Sequence, residues 1–307
     1  MDGLLHDLIP DATTWCQHTL KASIGCVGVG LHSGQRVTLT LHPAGVDHGI
    51  VFRRTDLGVD IPARFDHVVE TRLATVLGEP GGASIGTVEH VVAALAGCGI
   101  DNALVELDGP EPPILDGSAA PFVFLLECAG RTEQSASRAM IEVRRTVRVS
   151  DGDAFVELRP DPGSDGLEMA LSIDFTAVAI GRQALSLRLS PESFRNELAR
   201  ARTFAMAEEI EQLRAAGLAQ GGSLENAVVV EQARVLNPAG LRMPDEFARH
   251  KLLDAVGDLA LAGAPLCGRF VAHRSGHTLN NRLLRALFAD SSAWREIVTT
   301  PLSVAAA

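Results

Sequence analysis

The strongest constraint on the fold is a change of hydrophobic period that occurs in both halves of the chain. Between Thr19 and Leu41, the residues Val37, Leu39 and Leu41 alternate with Thr38 and Thr40, a period of two that reads as a hairpin with glycines 25, 28, 30 and 34 in and near its turns. From Gly86 the period lengthens. Val88, Val91, Val92 and Leu95 recur at helical spacing, with Thr87 placed to cap the helix and Gly97 or Gly99 to end it. A strand at Ala103 to Leu107 follows, then a proline-rich turn at 109–113 and a helix from Pro121 to Cys128.

The second half repeats that order. A hairpin pairs Ile141 to Val149 with Phe155 to Leu158 around the turn at 151–153. A strand at Leu167 to Phe175, a helix at Pro191 to Ala201, a long helix at Glu246 to Ala262, a strand at Gly268 to His273 and a helix from Leu279 complete it. Each half runs hairpin, strands, helix, strand, helix, which predicts an α+β chain built by duplication. The expected organisation is a polar leader at 1–18, a first α+β domain at 19–133, a second at 134–300 and an apolar tail at 301–307, with the small polar residues 131–139 as linker. Residues 205–236 do not fit the repeat. Ile210 and Leu213, glycines 217, 221 and 222, and the run Ala227 to Val230 read as an inserted helix and strand, the kind of addition that builds a ligand wall.

Composition narrows the function. The 307 residues carry 27 Lys and Arg against 38 Asp and Glu, a formal net charge of −11, and only 4% are aromatic. An acidic chain with few stacking rings is a poor nucleic-acid binder. The five cysteines (Cys16, Cys26, Cys98, Cys128, Cys267) are odd in number and scattered, the usage expected of reduced thiols in a cytoplasmic protein. The first ten residues carry Asp2 and Asp7 and show no secretory pattern, and no apolar run approaches the ~20 residues of a membrane span.

Three places concentrate acid, base and metal-competent side chains: Glu89-His90 at a helix start, the helical stretch His250, Lys251, Asp254 and Asp258, and Ser275-Gly276-His277. His250 and Asp254 are four apart and share a helix face, with Asp258 one turn further. A zinc hydrolase needs about three N/O ligands, an open water position and a carboxylate to take a proton. His90, His250 and Asp254 meet the first need and Glu89 the last, while His277, oriented by Asp258, suits a general acid or an oxyanion partner. Each pattern alone has a plainer reading: a surface His-Asp pair, a Glu favoured by the helix dipole, a turn histidine, a solvated helix face.

Taken together, the blocks Ser84-Ile-Gly-Thr-Val-Glu-His90, Gly99-Ile-Asp-Asn102, Leu115-Asp-Gly-Ser-Ala-Ala-Pro-Phe122, Ala201-Arg-Thr-Phe204, Arg234-Val-Leu-Asn237, Asp245-Glu-Phe-Ala-Arg-His-Lys-Leu-Leu-Asp254 and Ser275-Gly-His-Thr-Leu-Asn-Asn281 resemble the zinc-dependent UDP-3-O-acyl-N-acetylglucosamine deacetylases of lipid A synthesis, from about Thr19 to Glu296. The resemblance implies two similar α+β domains whose helices lie between two β-sheets, with the active site at their junction. It also implies that His90, His250 and Asp254 bind Zn2+ or Fe2+, that Glu89 is the general base and His277 the acid, and that Thr203 steadies the oxyanion. By the same resemblance Lys251 lies near the sugar or phosphate, beside Arg274. Phe204 belongs to the substrate site, Asp174 and Phe175 to a uracil site, and Ile210, Leu213, Ala219, Leu224 and Val229 line a passage for the acyl chain.

Ala154 stands where some relatives have a basic residue, which shifts the expected diphosphate contact to Lys251 and Arg274, and Ala74 stands where some carry a cysteine near the metal, which alters inhibition by a second zinc. A monomer is expected, and the tail Leu302 to Ala307 resembles ends that mark relatives for proteolysis. Two other readings share these residues: a metal amidase for another acylated amino sugar, and an acyl-chain or nucleotide-sugar binder without catalysis. The second has no need of Glu89, His277 and all three ligands at once.

Overall fold

The computed structural model describes residues 16–298; the tail reading and most of the leader lie outside the described residues. The first half centres on a five-stranded sheet in the order β2 (Ile24–Val29), β3 (Arg36–Pro43), β9 (Ala103–Leu107), β4 (Ile50–Arg54), β5 (Val59–Pro62). Only β9 and β4 are parallel. On β3 the alternation is as read: Val37, Leu39 and Leu41 are buried and Thr38 faces outward.

The second half builds the same figure. Strands β12 (Val147–Asp151), β13 (Ala154–Arg159), β19 (Leu266–His273), β14 (Leu167–Asp174) and β15 (Arg182–Arg188) pair in that order, again with only the inner pair β19 and β14 parallel. Strand β11 (Ala139–Val143) runs parallel to the start of β19 and pairs with β20 (Trp294–Val298), making seven strands. Each half also carries a small three-stranded sheet between its last outer strand and its central helix. In the first half these are β6 (Val68–Glu70), β7 (Val76–Gly78) and β8 (Ser84–Ile85); in the second, β16 (Phe204–Met206), β17 (Val228–Glu231) and β18 (Arg234–Val235).

Most of the helices lie between the two large sheets; the one at 207–215 has no buried residue and packs on β16 and β17. The helices are α1 (Glu89–Gly97), α2 (Ala120–Ala129), the single turn α3 (Pro191–Ser193) continued by a π-turn at Phe194–Leu198, α4 (Ala207–Ala215), α5 (Glu246–Ala260) and α6 (His277–Ala289). Helix α2 packs toward β2, α5 lies over β14 and β15, and α6 over β12 and β13. Helices α1 and α5 pack on each other, and one continuous apolar core joins both halves. Gly97 makes room in that core, because a β-carbon there would stand 2.3 Å from the Phe194 ring. All five cysteines are free, and no described helix is long and apolar enough to cross a membrane.

Several local expectations are corrected. Cys16–Leu20 is strand β1 rather than the end of a leader, and it pairs with β10 (Arg131–Ser137), which replaces the expected linker. A two-stranded ribbon with an exposed face can be polar throughout, so β10 showed no apolar alternation. Thr19 therefore lies outside the first hairpin, which is β2 and β3, and Ile141 outside the second, which is β12 and β13. Thr87 does not cap α1. Its φ of 53° is left-handed, and its hydroxyl donates to the buried Glu111 at 3.0 Å. Helix α6 begins two residues before Leu279, so His277 opens the helix.

Candidate metal centre and catalytic cleft

The left-handed turn at Thr87 launches α1 so that its first two residues, Glu89 and His90, face α5. Contact is closest at Gly257, where a β-carbon would stand 2.2 Å from the Glu89 carbonyl oxygen. Glycine at this position lets the α5 backbone touch the start of α1. His250 and Asp254, one helical turn apart on α5, thereby meet His90.

The three side chains offer ligand atoms that all lie within 4.8 Å of one another. His250 Nε2 is 3.3 Å and His90 Nε2 3.7 Å from Asp254 Oδ1, an oxygen that is buried without a hydrogen-bond partner. Its second oxygen accepts from Lys251 Nζ at 3.0 Å. His250 Nδ1 donates to the Ala201 carbonyl at 3.1 Å, leaving Nε2 bare toward Asp254. Burial pushes the His250 imidazole down to about 4, so it is neutral at neutral pH. Two imidazole nitrogens and one carboxylate oxygen without a hydrogen-bond partner among the described residues fit a divalent ion at this spacing, and an ion would satisfy that oxygen.

Glu89 stands beside this trio. Its Oε2 accepts from the Thr75 backbone N–H at 3.1 Å and its Oε1 lies 3.9 Å from His277 Nε2. Burial pushes its carboxyl up, against the charges of His277 and His90. His277 Nδ1 donates to Asp258 Oδ2 at 2.9 Å. Asp258 is fixed in turn by the Thr75 hydroxyl at 2.6 Å and Asn280 Nδ2 at 2.8 Å. Burial disfavours a charged ring, yet Asp258 and then Glu89 outweigh it and raise His277 to about 9. The site therefore holds one carboxylate able to accept a proton and one imidazolium able to give one, 3.9 Å apart.

These groups line a cleft of about 1530 Å³ that also receives Thr203, Phe204, Phe175 and Lys251. A second cavity of about 360 Å³ opens from it, sharing Leu31, His32, Leu73, Thr203 and Phe204. Ile210, Leu213, Ala219, Leu224 and Val229 all line this smaller cavity. Two expected substrate residues are placed elsewhere. Asp174 Oδ2 accepts from Arg182 Nε at 3.0 Å and is not part of the cleft wall, and Arg274 is exposed to solvent outside it. Asp258 sits behind His277 rather than on the cleft surface.

Thr75, Asn280 and Glu111 were not foreseen. Asn280 follows His277 by three residues on one helix face and was legible in principle. Thr75 and Glu111 act across long sequence separations, Glu111 by accepting the His32, Ser33 and Thr87 donors, and nothing in the local pattern marks them.

A family model described as UDP-3-O-acyl N-acetylglycosamine deacetylase matches residues 17–289. The UDP-3-O-acyl-N-acetylglucosamine deacetylase of Anaeromyxobacter dehalogenans (strain 2CP-C) is 51% identical to this chain over 287 residues, covering 94% of this chain and 92% of its own length. The protein of that name from Phenylobacterium zucineum (strain HLK1) is 52% identical over 282 residues, 91% of this chain and 95% of its own. That from Shewanella violacea is 50% identical over 282 residues, 91% of each. With the match running through α1, α5 and α6, which carry the site, the chain belongs to the UDP-3-O-acyl N-acetylglycosamine deacetylase family.

Proposed function

We propose that this protein hydrolyses the 2-acetamido group of UDP-3-O-acyl-N-acetylglucosamine, giving acetate and UDP-3-O-acyl-glucosamine for lipid A synthesis. The observation that carries the reading is the orphaned Asp254 Oδ1, held with two histidine nitrogens next to a buried Glu89 and at the mouth of an apolar cavity. His90, His250 and Asp254 would hold the ion, and two imidazoles with one carboxylate suit Zn2+, with Fe2+ as the other metal that this donor set accepts. When bound, such an ion polarises the amide carbonyl and makes water acidic enough to lose a proton near neutral pH.

The chain's own residues carry the remaining steps. Glu89 takes the proton of the attacking water, whose oxygen bonds to the acetamide carbon. The Thr203 hydroxyl donates to the oxygen on which charge collects. His277, held by Asp258, protonates the nitrogen as the C–N bond breaks, so that acetate and a free amine leave. The Thr75 N–H keeps Glu89 aimed between water and His277.

The cavity lined by Ile210, Leu213, Ala219, Leu224 and Val229 takes the 3-O-acyl chain, and the Phe175 and Phe204 rings, 5.5 Å apart, offer a face to the uracil. The protein acts as a cytoplasmic monomer with a small-molecule substrate. Acetate release by wild type and by Glu89→Ala, each with its metal content measured, tests the reading. A metal-replete Glu89→Ala that loses activity by orders of magnitude supports it; a folded, zinc-loaded wild type that releases no acetate overturns it.

A further inference from the structure

Resting on that reading, a nucleotide-sugar substrate brings a diphosphate into the cleft, and the cleft's charge is divided. Glu208, Glu209, Glu211 and Glu231 belong to the wall formed by α4 and β17, which repels a phosphate. Among the cationic side chains on the cleft surface, Arg234 is paired with Glu231 and Lys251 with Asp254. Arg274, next to Ser275, is exposed to solvent and not part of the cleft wall.

Arg72 is different. It lies in the loop between β6 and β7, exposed to solvent and part of the cleft wall, with its backbone N–H on Glu70, whose carboxylate its charge also attracts, and among the described residues its side chain makes no salt bridge or hydrogen bond. The loop is anchored by a hydrogen bond of 2.9 Å between the hydroxyls of Thr71 and Thr278. That bond sets Arg72 next to the start of α6, whose first turn has no side-chain cap and whose preceding Ser275 hydroxyl is buried without a partner on the same cleft. A guanidinium, an unpaired hydroxyl and an uncapped helix start on one cleft are the kinds of donor that suit an anion.

We propose that Arg72 binds the substrate's diphosphate at the Ser275 side of the cleft. Arg72 is a binding residue and carries no part of the bond-breaking step. Equilibrium binding of UDP and of uridine to the zinc-loaded protein tests it, together with KM and kcat for deacetylation. Arg72→Ala weakens UDP about tenfold or more and leaves uridine unchanged, as the loss of one charge-assisted contact requires. In turnover the same variant raises KM by a similar factor with kcat little altered, and Arg72→Lys recovers part of the UDP affinity. Unchanged UDP affinity in Arg72→Ala, or equal weakening of UDP and uridine, overturns the proposal. A wild type that binds UDP but releases no acetate counts against the reaction and leaves the UDP comparison to decide on Arg72.

Discussion

Gly257 meets the carbonyl oxygen of Glu89 so closely that a β-carbon would come within 2.2 Å of it. The contact joins the two helices that carry the candidate ligands, and neither backbone can give way without moving a functional residue, since Glu89 lies on one side and Asp254 and Asp258 on the other. Gly257→Ala is therefore expected to destabilise the fold by about 1–3 kcal/mol, the range for overpacking a filled interior. Thermal unfolding measures the first effect and acetate release the second: activity falls further than the unfolded fraction explains.

In the proposed mechanism the hydrogen bond from His277 to Asp258 sets the alkaline limit of the reaction. With His277 raised to about 9 and cast as the proton donor, the rate is expected to fall as pH rises through about 9. Asp258→Asn removes the largest raising charge, so the limb moves to lower pH. The same proton bears on stability. A histidine raised in the folded state contributes stability that is fully present below about 6.5, its ordinary value, and is lost between there and about 9. Rate profiles and unfolding midpoints across pH 6 to 10, compared between wild type and variant, check both signs.

Removing the metal has a structural as well as a catalytic consequence. Among the described residues Asp254 Oδ1 has no hydrogen-bond partner, so chelation is expected to leave a buried acceptor unsatisfied and to remove the stabilisation that a ligand specific to the folded state provides. The unfolding midpoint is expected to drop on chelation and to return with added zinc. In His250→Ala the zinc-dependent shift is lost or strongly reduced.

Leu213 lines the 360 Å³ cavity but not the larger cleft. Leu213→Trp is expected to lower kcat/KM for a substrate with a long 3-O-acyl chain by about ten- to hundred-fold, and to leave one carrying only a short acyl group nearly unaffected. Steady-state kinetics with the two substrates reads the difference.

The parts of the structure legible in the sequence are those written locally. Glu89 and His90 are adjacent, His250 and Asp254 are one turn apart, and their helices carry apolar residues at helical spacing. Strand β15 was missed because its inward position Gln183 is polar: the side chain accepts the Ala248 N–H of α5, which breaks the apolar alternation that marks a strand. The small sheet β6–β8 was missed because its strands are two or three residues long. Thr75, in the loop just before β7, holds Asp258 across 183 positions of chain, a relationship that only the folded arrangement creates.

The two small sheets stand at the same point of the repeated plan, one in each half, and the chain at each lines the cleft, Arg72 and Leu73 in the loop after β6 and residues 203–206 and 230–234 at β16 to β18. The repeated plan thus gives the cleft two separate margins of short strands and loops, each able to differ from the other while helices α1 and α5 behind them stay in contact.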